Sequence, residues 1–143
     1  MHLIKKILVC SLMVLTFVFT SLPVNAATGT VYVSAGGSAF TSEYTQSYGS
    51  NSQCHMSLTY VHFSNYAENT IPCTYYVYSR LYLRSNHNTQ VSHLASFSQV
   101  SDSGYNYDYY NGYATNGQQF VLKSNSNLDI YYSATFAFSA WPW

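Results

Sequence analysis

Cys73-Thr-Tyr-Tyr-Val-Tyr-Ser-Arg-Leu-Tyr-Leu-Arg84 separates with a period of two into two faces. Cys73, Tyr75, Val77, Ser79, Leu81 and Leu83 share one side; Thr74, Tyr76, Tyr78, Arg80, Tyr82 and Arg84 share the other. A helix would scatter the apolar residues around its axis, whereas a strand gathers them on one side. Tyr, Val and Thr also suit a pleated, half-buried surface. The stretch predicts a long antiparallel strand with one face in a core and one in water. Its wet face is a row of tyrosines broken by two cations.

Outward from this strand, the chain reads as more strands. Thr28 to Ala35 alternates and stops at Gly36-Gly37, and Phe40 to Tyr48 alternates more weakly. Cys54 to Phe63 changes phase. Met56, Leu58 and Tyr60 share one face while Val61 and Phe63 belong to the other, which marks a bulge or bend. Ser64 to Pro72 is irregular, and Ser85 to Asn88 is a turn by composition. Gln90 to Val100 predicts a strand with Val91, His93, Ala95 and Phe97 on one face. Tyr105, Tyr107 and Tyr109 alternate before the turn dipeptide Asn111-Gly112, and a second one, Asn116-Gly117, opens Gln118 to Ser124. Leu128 to Ala140 is as regular as the first stretch, with Leu128, Ile130, Tyr132, Ala134, Phe136 and Phe138 on one side. No segment carries a helical period. About eight short strands between Gly, Asn and Ser turns predict an all-β fold, an antiparallel β-sandwich, with a small β-barrel as the alternative. Cys73–Arg84 and Leu128–Ala140 are expected at the centres of their sheets.

Residues 1–26 have the organisation of a signal peptide. Lys5 and Lys6 precede the apolar run Ile7 to Thr20, and Val24-Asn25-Ala26 is a small-residue cleavage site. A retained N-terminal anchor is the competing reading, but the run is shorter than the roughly 20 residues of a membrane span. The expectation is a secreted, extracellular chain with one β domain over residues 27–143 and no transmembrane segment after cleavage. Beyond Ala26 the cations are Arg80, Arg84 and Lys123, and the anions are Glu43, Glu68, Asp102, Asp108 and Asp129. Three against five gives a net charge of −2 with histidines neutral. So sparse a charge argues against a nucleic-acid partner, which requires a basic patch, and against docking on anionic lipid. Disorder is excluded by the 16 tyrosines, all beyond Ala26.

Cys54 and Cys73 remain as a pair in an exported chain, and a disulfide between them is expected. It would close a loop of about 20 residues and contribute roughly 3 kcal/mol. In a plain hairpin the two would stand about 30 Å apart at roughly 3.3 Å per residue. The bridge, with Cα atoms within about 7 Å, therefore requires the chain to double back between Ser64 and Pro72 or the first strand to bend. The alternative is an unbridged thiol paired with His55.

Nothing in the sequence supplies a catalytic signature. There is no G-x-S-x-G elbow, H-E-x-x-H, P-loop or dinucleotide fingerprint. His55, His62, His87 and His93 fit no zinc spacing. The expectation is a non-enzymatic protein with no cofactor and no metal. Aromatics are the feature in excess. Their packing role is sheet stabilisation through cross-strand pairs, at roughly 0.2–1 kcal/mol each. Their functional role is a binding surface, since tyrosine combines a broad ring with a polar tip. The ligand-binding candidates are Tyr76, Tyr78, Arg80, Tyr82 and Arg84, which alternation places on one face. Tyr105 to Tyr113 is the second candidate.

At the C-terminus, Ala134-Thr-Phe-Ala-Phe-Ser-Ala-Trp141, preceded by Asn127-Leu128, resembles the ending of the lactococcin-972-like bacteriocins. The resemblance covers about the last fifth of the chain beyond Ala26. It implies a secreted β-sandwich acting on the envelope of neighbouring bacteria. The chain departs from that family in its greater length, its cysteine pair and the added Pro142-Trp143. Three function classes follow, in order: a bacteriocin-like or cell-envelope and glycan-binding factor, a β-pore-forming toxin, and a structural surface or matrix protein.

Overall fold

The period-two faces become two antiparallel sheets closed on one core. The computed structural model describes residues 26–47, 53–100, 105–108 and 115–140, with 105–108 given by backbone alone. The expected signal segment up to Asn25, the break at Ser101 to Gly104, the Asn111-Gly112 turn and Trp141 to Trp143 lie outside the described residues. Ten strands are formed: β1 (Ala27–Val33), β2 (Ser38–Phe40), β3 (Thr45–Gln46), β4 (Gln53–Phe63), β5 (Val77–Leu83), β6 (Asn86–Gln90), β7 (Ala95–Phe97), β8 (Tyr105–Asp108), β9 (Gln119–Ser126) and β10 (Tyr132–Ser139). One sheet runs β1-β10-β4-β8; the other runs β2-β9-β5-β6, with β3 on β9 and β7 on β5. The architecture is an antiparallel β-sandwich. β5 and β10 hold interior positions, one in each sheet, as their regular alternation predicts.

The core is made by the faces read from the sequence. Val77, Leu81 and Leu83 of β5 are buried together with Tyr132, Ala134, Phe136 and Phe138 of β10 in one apolar cluster. Contacts cross from sheet to sheet. Phe97 and Phe136 pack with ring centroids 6.0 Å apart, and Ser79 Oγ lies 3.8 Å from Met56 Sδ. The Tyr132 hydroxyl and Ser124 Oγ are hydrogen-bonded at 2.8 Å inside the core. Burial pushes the Tyr132 phenol far above its ordinary value, against a smaller lowering by Ser124. Each large apolar side chain buried here contributes roughly 1.5–3 kcal/mol.

The phase change in β4 is a bulge. Tyr60 pairs with Thr135 and Leu58 with Phe136, and the register shifts between them, which leaves Thr59 as the extra residue. Its hydroxyl donates to the Thr135 carbonyl at 3.0 Å. One added residue inverts the parity, so Met56, Leu58, Val61 and Phe63 all enter the core.

Several boundaries differ from the sequence reading. Ten strands replace eight because β6 forms over Asn86–Gln90, where composition predicts a turn, and because Phe40 to Tyr48 does not stay one strand. Phe40 to Tyr48 divides into β2 and β3. At the junction Thr41 donates its backbone N–H to the Leu122 carbonyl, and its Oγ1 accepts the Leu122 N–H at 3.2 Å. Of Gln90 to Val100 only β7 remains strand beyond the end of β6 at Gln90, because Ser92 turns inward; its Oγ accepts the Leu81 N–H at 3.0 Å and donates to the His93 carbonyl. His93 is therefore exposed rather than in line with Val91, Ala95 and Phe97. β5 begins at Val77, not Cys73, because a turn after Pro72 occupies the first residues and the Asn127 side chain takes the Tyr76 N–H at 2.9 Å. β10 begins at Tyr132, leaving Leu128 and Ile130 half-buried in a bend.

The expected Cys54–Cys73 disulfide is not formed; both residues are thiols, Cys54 buried and Cys73 exposed. The geometry supplies the reason. Cys54 is the second residue of β4, paired with β8 at Tyr107. Cys73 stands beyond the opposite end of that strand, where Phe63 packs on Tyr66 and Tyr66 on Tyr75. Running from Cys54 to Phe63 at roughly 3.3 Å per residue, β4 holds the two apart by several times the roughly 7 Å a bridge allows. The bulge at Thr59 changes which side chains point inward but does not fold the strand back.

Candidate functional site

β5 carries Tyr78, Arg80 and Tyr82 on the face away from the core. Each is half-buried by its sheet neighbours, while Val77, Ser79, Leu81 and Leu83 are buried beneath. Tyr76 and Arg84, just outside the strand, are exposed on the same side. The five residues predicted from alternation thus stand on one outer face. No second sheet covers it among the described residues.

The register of the neighbouring strands adds what the single stretch could not show. On β9, Asn125 faces Tyr78, Lys123 faces Arg80 and Val121 faces Tyr82. Across β9, β2 brings Phe40 opposite Lys123 and Ser38 opposite Asn125. On the other flank, Ser96 of β7 faces Tyr78 and Gln90 of β6 faces Tyr82. All three lysine and arginine residues beyond Ala26 therefore stand on this face.

Neutral groups hold these side chains. The Tyr76 and Tyr78 rings stack with centroids 6.2 Å apart. Phe40 meets Tyr82 edge-on at 5.4 Å and stacks on His87 at 4.3 Å. Lys123 Nζ sits 5.3 Å from the Phe40 ring and 5.6 Å from the Tyr82 ring. The Arg84 guanidinium lies 3.6 Å over the Tyr44 ring and donates to Gln119 Oε1 at 2.9 Å. Arg80 donates to Gln90 Oε1 through one terminal nitrogen, and its Nε is buried without a partner. Beside Lys123 an open cleft of about 310 Å³ is lined by Gly36, Gly37, Ser38, Tyr82, Lys123 and Asn125. The left-handed turn at Gly36, φ 64°, forms its rim.

Lys123, Phe40, Tyr44 and Asn125 were not among the residues singled out from sequence. The usable signal was the parity of β9, where Phe120 and Leu122 point inward and Lys123 must point outward. The second candidate, Tyr105 to Tyr113, falls on residues whose side chains are not described. The histidines do not converge: His87 and His93 are exposed, His62 is half-buried and His55 is buried. Among the described residues no three His, Cys, Asp or Glu side chains cluster to hold a metal.

No protein-family model matches the chain, and no curated protein matches it. Among solved structures, it is similar to the crystal structure of the Yersinia pseudotuberculosis-derived mitogen, with 14% sequence identity over 80% of this chain and 85% of that chain and a TM-score of 0.47.

Proposed function

We propose that the chain is a secreted, non-enzymatic factor that binds a glycan of the cell envelope through the outer face of β5, in the manner of a bacteriocin-like protein. The observation that carries this reading is the uncovered row of Tyr76, Tyr78, Arg80, Tyr82 and Arg84. Tyrosine rings offer flat apolar faces to sugar C–H groups and hydroxyls to their polar edges. Arginines add forked donors for carboxylate or phosphate groups. The C-terminal resemblance to lactococcin-972-like bacteriocins supports the same setting, outside the cell and at an envelope. A chain starting at Ala27, after loss of residues 1–26, is the form that carries the activity.

The test is sedimentation with isolated cell walls. The mature protein is expected in the pellet, and the Tyr78→Ala/Arg80→Ala double variant in the supernatant with its fold intact. Equal sedimentation of the two would overturn the reading.

A further inference from the structure

We infer that the occupant of this face is an anionic polysaccharide, seated with its charged substituents between Lys123 and Arg80 and its sugar rings on the flanking aromatics. The inference rests on the binding-face reading above and specifies its ligand. It starts from a register that is unfavourable for the protein alone. Arg80 and Lys123 are direct partners across β5 and β9, and like charges opposite one another destabilise a sheet. A fold under no other demand would place a carboxylate between them. Instead, among the described residues, no ion pair joins Arg80, Arg84 or Lys123 to any acid.

The described carboxylates form no ion pair with these cations, although Asp129 reaches the Gly36 rim of the cleft beside Lys123. Glu43 Oε2 lies 2.8 Å from the position a Gly29 Cβ would take, and Asp129 Oδ1 lies 3.0 Å from that of Gly36. Glu68 acts on Tyr60, on the other sheet. The partners of the three cations are uncharged: Gln90 for Arg80, Gln119 and the Tyr44 ring for Arg84, and the Phe40 and Tyr82 rings for Lys123. Such partners fix the positions of the cations without neutralising them. Charge is therefore held available and oriented, at a cost to the sheet, where an anion would relieve the repulsion.

The surroundings select a polysaccharide. The cleft beside Lys123 adds hydroxyl and amide groups from Ser38, Tyr82 and Asn125, which suit the many hydroxyls of a sugar. The stacked Tyr76 and Tyr78 continue the same face toward one end of β5, giving flat apolar area for further rings. A small inorganic anion would leave that aromatic row unused.

The experiment is titration calorimetry of the mature protein with three dextrans of one length: unmodified, carboxymethylated and phosphorylated. An oligothymidylate of similar charge serves as a fourth ligand. Both anionic dextrans are expected to bind more tightly than the unmodified one, with affinity falling as salt is raised. Lys123→Gln should weaken that binding roughly tenfold, about the worth of one charge-assisted hydrogen bond, and Lys123→Arg should retain it. The thermal midpoint of Lys123→Gln without ligand should not fall much, because the variant also removes the repulsion with Arg80. If Lys123→Gln does not fold, the contrast between charged and neutral dextrans in the wild type decides alone. Equal affinity for charged and neutral dextrans, insensitive to salt, would overturn the anionic ligand while leaving the binding face standing. Tighter binding of the oligothymidylate than of either anionic dextran would overturn the polysaccharide. Absence of binding to every dextran and to isolated cell walls would remove both readings.

Discussion

The two sheets of this sandwich obey the same alternation yet present different outer faces. On the four-stranded sheet, Tyr32 is 66% exposed, Tyr60 is half-buried, and the Thr30 and Thr135 hydroxyls hydrogen-bond at 2.8 Å. Partial desolvation, then the Glu68 carboxylate, push the Tyr60 phenol up. Among the described residues this face carries no lysine or arginine. On the six-stranded sheet tyrosines occur beside Arg80, Arg84 and Lys123. The contrast separates two roles of tyrosine that composition alone merges. Tyrosine is on both faces because it suits a pleated surface. The cations are on one face only, and nothing in sheet packing requires that.

Variants sharpen the comparison, beginning where both faces depend on one residue. Phe136 is fully buried on β10 and packs on Phe97 of the opposite sheet. Phe136→Ala should cost about 3–5 kcal/mol in urea denaturation, lowering both faces together. A loss confined to one sheet in hydrogen exchange would show that the sandwich does not unfold as one unit.

Tyr132→Phe comes next. It leaves Ser124 Oγ unsatisfied in the core and should cost about 1–3 kcal/mol. It also changes the alkaline limb of stability. The folded state holds the Tyr132 phenol neutral above its ordinary pKa of 10.0. The unfolded chain then binds fewer protons than the folded one, so stability falls as pH rises beyond about 10. The contribution is complete below that value. Denaturation series at successive pH values should show a shallower alkaline decline in the Phe variant, and an unchanged decline would contradict the buried phenol.

The thiols give a test without mutation. A cysteine reagent should modify exposed Cys73 in the native protein and reach buried Cys54 only on unfolding. Protection of both against alkylation, reversed by reductant, would restore the bridge that the structure lacks. The smallest effects are expected on the outer faces themselves. Tyr78→Ala and Tyr32→Ala should each change stability by about 0.5 kcal/mol or less, and a larger loss at Tyr78 alone would make that ring a packing element.

Much of this comparison is legible in local alternation. The residues of β5, and of β10 as far as Phe136, divide into buried and outward rows where their period of two predicts, whereas Ala137 and Ser139 are buried against it; the phase change between Leu58 and Val61 marks the bulge at Thr59. The interruptions are not legible, because Ser92 and Thr41 act through side-chain bonds to strands distant in sequence. The disulfide expectation failed on the same ground: an even cysteine count says nothing about which ends of which strands meet. The predicted row of Tyr76, Tyr78, Arg80, Tyr82 and Arg84 shares one face. Lys123 completes it only through the register of β9 on β5, set by Leu81 against Leu122 and Leu83 against Phe120 in the core.

The most direct test sets the two faces against each other in one binding measurement. Tyr78→Ala/Arg80→Ala alters the six-stranded sheet and Tyr32→Ala/Tyr60→Ala the four-stranded one, each removing two outward side chains. Affinity for isolated cell walls, measured side by side on folded proteins, should collapse for the first pair and match the wild type for the second. Equal losses from both pairs, or a loss from the second alone, would contradict the assignment of binding to the cationic face.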